Sequence, residues 1–255
     1  MPAQALLTLA QISKNFGRIR VADRLDVSVG DGEVVGIVGP NGAGKSSLFS
    51  IISGDIAADA GNVIFDGRDV TKIGPAARCR LGIGRTYQVP RPFLHMTVFE
   101  NVLVAVVQGS ETRGRAAQNR ALDVLDEAGL AADANRLAGR LTLLARKRLE
   151  LARALATGPR LLLLDEVAGG LTDPEVDELV EVVRAQRARG LTVIWIEHVV
   201  HALTRSVDRL LCLAAGVVIA DGNPGEVLAS AAVREVYLGV DPRAAATEVE
   251  GGGEA

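Results

Sequence analysis

Cysteine is nearly absent from this chain of 255 residues: Cys79 and Cys212 are the only two, and they lie far apart. They make no metal-ligand pair, and they fit a reducing compartment. Long hydrophobic runs are missing as well. The longest uncharged apolar stretch, Leu210 to Ala220, is too short to cross a bilayer. The N-terminus lacks the charged, then apolar, then small-residue order of a signal peptide. A soluble protein is therefore expected, one that would serve a membrane only by docking onto another chain. No basic surplus exists either. The net charge is −3 and no tail is strongly basic, so nothing draws the chain generally toward nucleic acid. Internal repeats and sustained heptads are also lacking. Apolar residues, by contrast, are plentiful. At 48% of the chain they suffice for a sizeable core in one large α/β domain, with room for a helical insertion.

One octapeptide stands out. Gly39-Pro40-Asn41-Gly42-Ala43-Gly44-Lys45-Ser46 matches G-x-x-x-x-G-K-[ST] at every specified position. Glu33 to Val38 reads as a short buried strand leading in, and Ser46 to Ile52 as a helix leading out. Glycines let the backbone fold tightly, so that successive N–H groups surround phosphate oxygens. The helix N-terminus adds partial positive charge at the same spot. The candidate phosphate-contacting positions are Gly39, Asn41, Gly42, Ala43, Gly44, Lys45, Ser46 and Ser47. Lys45 would reach the β- and γ-phosphates, and the Ser46 hydroxyl would ligate Mg²⁺.

The rest of the chain sorts into blocks. Leu6–Ile12 and Leu25–Val29 alternate as strands do, and Asn62–Phe65 is a strand closed by the hairpin dipeptide Asp66-Gly67. The first region is thus β-rich. Thr97-x-x-Glu100 is a capping box before the apolar run Val98–Val107. Helical patterns follow from about Arg115 to Gly129 and from Leu143 to Ala156, so a helix-rich block lies at about 97–157. Leu161–Asp165 is a continuous apolar run ending in acid, as a strand buried on both faces would be. Asp173-Pro174 suggests an N-cap and first-turn proline, opening a helix to about Arg189. Leu191–Ile196 is the next buried strand. Leu210–Leu213 and Val217–Ala220 form a late hairpin around Ala215-Gly216. The domain should span about 1–240, and residues 241–255 should be a disordered tail.

Several side chains can be placed against the phosphate loop. Asp165, at a strand end, would help hold Mg²⁺, and Glu166 would take a proton from the attacking water or orient it. Gln88, after Ile83-Gly84-Arg85-Thr86-Tyr87, would reach metal and water with its amide. His198, after the strand Leu191–Glu197, would contact the γ-phosphate. Phe16 would stack on adenine, with plain core packing as its alternative. His95 and His201 have no such placement. Arg146-Lys147-Arg148 reads as a solvated helix face.

Phosphate loop, glutamine after a strand, helical block, Asp-Glu strand end and following histidine occur here in the order seen in ABC-transporter ATPase subunits. The resemblance runs from about Leu6 to Leu238. Gly84–Phe93, Met96–Val102, Leu149–Leu155 and Ile196-Glu197-His198 resemble the branched-chain amino-acid importer ATPases, more the larger of the two subunits than the smaller. It implies the P-loop NTPase fold of ABC ATPases, α/β with a β-rich N-terminal subdomain and an inserted helical subdomain. It also implies ATP and Mg²⁺ as cofactors and peripheral attachment to the cytoplasmic face of the inner membrane. The partners it implies are a second ABC ATPase subunit, two transmembrane permease subunits and, indirectly, a periplasmic solute-binding protein. Urea, amide and aromatic-acid importers use very similar ATPases. A soluble ABC ATPase acting on ribosomes or DNA, and a weakly hydrolysing nucleotide-dependent regulator, are readings of another class.

The chain departs from the family at two loops. The signature Leu-Ser-Gly-Gly-Gln is here Leu141-Thr142-Leu143-Leu144-Ala145. Thr142 keeps a hydroxyl able to cap the next helix and face nucleotide, but the leucines add bulk where phosphate must approach. Gly169-Gly170-Leu171-Thr172 replaces Ser-Ala-Leu-Asp, with Asp173 explained as a helix cap. Because the signature loop acts on ATP held by the opposite subunit, a heterodimer with unequal sites is expected.

Overall fold

Alternating apolar and polar residues open the chain as an antiparallel hairpin, β1 (Ala5–Phe16) and β2 (Ile19–Gly30). In the computed structural model, which describes residues 5–110, 112–198 and 203–238, both strands outrun the alternation that marks them in sequence. Bulging is the reason. Gln11 and Arg24 adopt φ of 52° and 46°, and the register shifts between Leu9 and Ile12. A bulge moves the inward face by one residue, so the pattern breaks while the ladder continues.

β3 (Val34–Val38) is buried throughout and is followed by α1 (Lys45–Ser53). β4 (Ala60–Phe65) and β5 (Arg68–Asp69) pair around Asp66-Gly67, whose φ of 50° and 73° make the tight turn predicted there. The short basic helix α2 (Pro75–Leu81) has no sequence signal of its own. It is held by buried Arg78, whose guanidinium donates to the carbonyls of Ile51 and Ile52 at the end of α1. After β6 (Ile83–Arg85), three helices pack together: α3 (Val98–Gly109), α4 (Gly114–Glu127) and α5 (Leu143–Ala156). The Thr97–Glu100 capping box begins the first of them.

β7 (Leu161–Asp165), α6 (Asp173–Ala188), β8 (Thr192–Ile196), β9 (Arg209–Ala214) and β10 (Val217–Gly222) follow, and α7 (Pro224–Ala229) and α8 (Ala231–Leu238) end the described chain. The tail expected at 241–255 lies outside the described residues.

Two sheets result. One is antiparallel, ordered β2-β1-β4-β5; the other is ordered β10-β9-β3-β8-β7-β6 and is parallel except for β10. The second is buried on both faces, which explains its uninterrupted apolar strands. Val35, Ile37, Leu163 and Ile194 face the first sheet and α1, while Val34, Leu162, Leu164 and Trp195 face the helices. Parallel register aligns Ile37 and Asp165 with Ile196, so three loops leave the sheet at one end. In open α/β sheets that is where ligands bind.

Candidate nucleotide site

The glycine loop joins β3 to α1, and two of its glycines are geometrically obligatory. Gly39 and Gly44 have φ of 150° and 102°. A Cβ on Gly39 would lie 2.0 Å from the Leu213 carbonyl oxygen, and one on Gly44 would lie 2.1 Å from that of Val21. Gly42, at φ 80°, has open space before it. The loop, from Asn41 to Ser47, encloses a cavity of about 190 Å³ together with Val21 and Glu166. Lys45 is buried, and its Nζ donates to the carbonyls of Gly39 at 2.7 Å and Pro40 at 2.9 Å. Burial pushes its pKa below the ordinary lysine range, with Glu166 opposing. Phe16 sits at the end of β1, half exposed, with the Lys14 ammonium 5.4 Å from its ring centre. It is not part of the core.

At the end of β7 the chain turns sharply. Glu166 takes φ 49°, and its N–H donates to the Ile196 carbonyl at 3.0 Å. Its carboxylate accepts the Gln88 side-chain amide and lies 2.7 Å from His198 Nε2. Three residues separated in sequence thus meet at one carboxylate. Asp165 is buried behind them, and burial raises its pKa while Arg85 opposes. One of its oxygens receives Arg85 Nη2 at 3.1 Å; the other is buried with no partner. Ser46, Gln88 and Asp165 line one cavity of about 400 Å³.

A hydroxyl, an amide and a half-satisfied carboxylate around one cavity suit a magnesium ion. Among the described residues no group of three or more His, Cys, Asp or Glu can hold a metal. Substrate phosphates would have to complete the coordination, as is usual for this ion.

The other segment expected to face nucleotide begins α5. Thr142 is its N-cap, accepting from the Ala145 N–H at 3.3 Å. Leu143 projects at 46% exposure and rests beside Gly170. The loop that follows Glu166 differs from the expectation in one respect: Thr172, not Asp173, caps α6. The Glu175 carboxylate accepts from both the Thr172 N–H and its hydroxyl at 2.9 Å, and Asp173 is the first helical residue. His95 is exposed, and His201 lies outside the described residues.

The triplet Arg146-Lys147-Arg148 is not a solvated face. Lys147 is only 5% exposed and donates to the carbonyls of Gln88 and Glu166, each at 3.2 Å. Helical spacing with buried Leu151 and Ala154 is the signal that places it inward. Glu197 carries a role that its sequence position does not reveal. It is 2% exposed, accepts from the Ala168 N–H at 2.7 Å and from the Trp195 indole at 3.2 Å, and burial raises its pKa. Arg85 is a third such residue; it ties Asp165 to Asp55, and nothing in its local sequence marks it.

The family described as ABC transporter matches residues 22–169, and a family described as branched-chain amino acid ATP-binding cassette transporter matches residues 217–242. The probable branched-chain amino acid transport ATP-binding protein LivG of Methanocaldococcus jannaschii is 32% identical, over 92% of this chain and 97% of that protein. The lipopolysaccharide export system ATP-binding protein LptB of Escherichia coli is also 32% identical, over 94% and 99%. The crystal structure of the ADP conformation of the ATP-binding cassette MJ1267 superposes with a TM-score of 0.86 at 32% identity, covering 93% of this chain and all of that one.

Proposed function

The chain belongs to the ABC transporter family as an ATP-hydrolysing, ATP-binding subunit, and from that premise we propose that it powers an importer for branched-chain amino acids or a related small solute. The observation that carries the solute class is the match of residues 217–242, outside the ATPase segment at 22–169, to the branched-chain cassette family. A second reading, lipopolysaccharide export, is favoured by the equally similar LptB. Urea, amide or aromatic-acid uptake would use the same machinery.

In this proposal residues 1–240 form one ATPase domain, with a helical subdomain at about 97–157. The loop N–H groups and Lys45 bind the β- and γ-phosphates, while Phe16 offers its face to the base. Ser46, Gln88 and Asp165 would hold Mg²⁺, which would supply charge screening for the transferred phosphoryl group. Glu166 orients the attacking water and takes its proton; Gln88 and His198 fix that carboxylate from two sides. Thr142 and the start of α5 face nucleotide held by a partner ATPase, so a heterodimer is favoured. No described helix is long and apolar enough to cross a membrane, so attachment to the inner face would run through two permease subunits, with a periplasmic binding protein delivering the solute.

A tagged pull-down from gently solubilised native membranes tests this, with co-purifying chains identified by mass spectrometry. Two permeases and a second ATPase carrying a Leu-Ser-Gly-Gly-Gln-type loop are expected. A lipopolysaccharide-export assembly would reverse the direction of transport, and ribosomal or DNA-repair proteins without membrane chains would sink the transport reading.

A further inference from the structure

Lys147, like Arg78, is a buried cation among the described residues that the phosphate chemistry does not use. It projects from α5, five residues after the Thr142 cap, or about 7.5 Å along the helix. Its ammonium meets two other elements at once: the Gln88 carbonyl after β6 and the Glu166 carbonyl after β7, each at 3.2 Å. Both carbonyls belong to residues whose side chains join in the Gln88–Glu166 contact. Turning either peptide plane therefore swings a side chain of the catalytic cluster. A buried ammonium needs such partners, because desolvation without them is costly. Burial lowers the Lys147 pKa, with Glu197 opposing, and Glu197 in turn accepts from the Ala168 N–H and the Trp195 indole.

We infer that Lys147 is a positioning residue: it transmits the placement of α5 to the peptide planes of Gln88 and Glu166, and so sets how these two side chains meet the attacking water. The inference rests on the hydrolytic role proposed for Glu166. It gives α5 two roles. The first turn of the helix faces a partner's nucleotide, and the second turn holds this chain's own catalytic pair. A displacement of one is mechanically a displacement of the other, since a single helix carries both.

The test compares the full-length wild type with Lys147→Met and Lys147→Arg. Amide hydrogen exchange on nucleotide-free protein needs no turnover. Lys147→Met should speed exchange about tenfold in segments 87–90 and 165–168 while leaving β1 and α3 unchanged. In ATPase assays it should lower kcat about tenfold with KM for ATP within roughly twofold, and Lys147→Arg, which can still donate to two carbonyls, should recover most of the loss. Faster exchange throughout the core, in step with the loss of kcat, would mean a merely structural lysine and overturn the inference. So would unchanged exchange and unchanged kcat in Lys147→Met. If that variant does not fold, Lys147→Met combined with Glu197→Gln removes the unbalanced charge; wild-type kcat in the double variant would show charge balance, not positioning, and also overturn it. Persistent turnover in Glu166→Gln would defeat the hydrolytic reading instead, and the exchange comparison separates the two failures.

Discussion

Under the proposed function the loop between β3 and α1 and the start of α5 would serve the same end, each bringing backbone N–H groups close to phosphate. They differ in how firmly the fold demands glycine. At Gly39 and Gly44 a side chain would collide with a carbonyl oxygen, at 2.0 and 2.1 Å, in a backbone conformation that L-residues avoid. At Leu143 and Leu144 the backbone is ordinary helix, and Leu143 simply extends past Gly170 into the open. Folding therefore polices the first segment, whereas only a ligand polices the second. A chain can lose the glycines of the second without losing its structure, and this one has. What it keeps are the groups around its own phosphate loop, and under the proposed function that is the asymmetry expected of one half of an unequal pair.

The contrast is most exposed to test at the complete half. Glu166→Gln should lower ATP turnover by about a hundredfold or more while ATP binding, read by a fluorescent analogue, stays within roughly twofold. Turnover close to wild type would remove Glu166 from its assigned role and leave neither half distinguished. Next in size is Gly44→Ala. The added methyl must displace the Val21 carbonyl at φ 102°, so a stability loss of about 1–3 kcal/mol in thermal melts is expected, together with weakened nucleotide binding. Leu143→Ala, made at a half-exposed helical position, should melt within about 0.5 kcal/mol of wild type. Equal costs at the two positions would refute the distinction between them.

The same contrast explains what could be read from sequence. The α/β P-loop fold expected is the fold found, because parallel strands buried on both faces must be apolar runs, as Val34–Val38, Leu161–Leu164 and Val193–Ile196 are. The loop was legible since its steric demands leave few alternative residues. The strands that Gln88 and His198 follow place them against the phosphate loop from sequence, and their meeting at Glu166 is a fact of the fold alone. The bulges at Gln11 and Arg24 erased the alternation that would have shown the true strand lengths. Arg85 and Lys147 escaped for another reason. Their partners lie 80 and 59 residues away for Asp165 and the Gln88 carbonyl, and charge in a sequence ordinarily implies solvent.

A smaller effect tests the weak half. Leu143→Gly with Leu144→Gly should cost up to about 1 kcal/mol per residue in helix stability. In a mixed dimer, where by the proposal α5 would face the partner's nucleotide, it should nevertheless raise turnover, by about twofold to tenfold if bulk alone limits approach. Unchanged turnover, measured with the partner's own Glu→Gln variant to isolate sites, would mean the leucines are tolerated without kinetic consequence.

The smallest expected effect asks whether α5 is held by packing independently of its first turn. Glu150, on α5, is buried beside Arg153, which donates to it at 3.0 Å. Burial nevertheless raises its pKa above the ordinary 4.5, with Arg153 opposing. Between the unfolded value near 4.5 and the higher folded value, the folded chain holds the proton more tightly than the unfolded one. The Glu150 contribution is fully present below that window and is lost as pH rises through it. Glu150→Gln has no such dependence, so the melting temperature of the wild type relative to the variant should fall as pH rises from 4.5 and then level off. A difference independent of pH would mean that Arg153 fully offsets the burial. α5 would then be anchored as firmly by a charge pair as by its apolar face, and the freedom of its first turn to vary would owe less to packing than the contrast with the glycine loop implies.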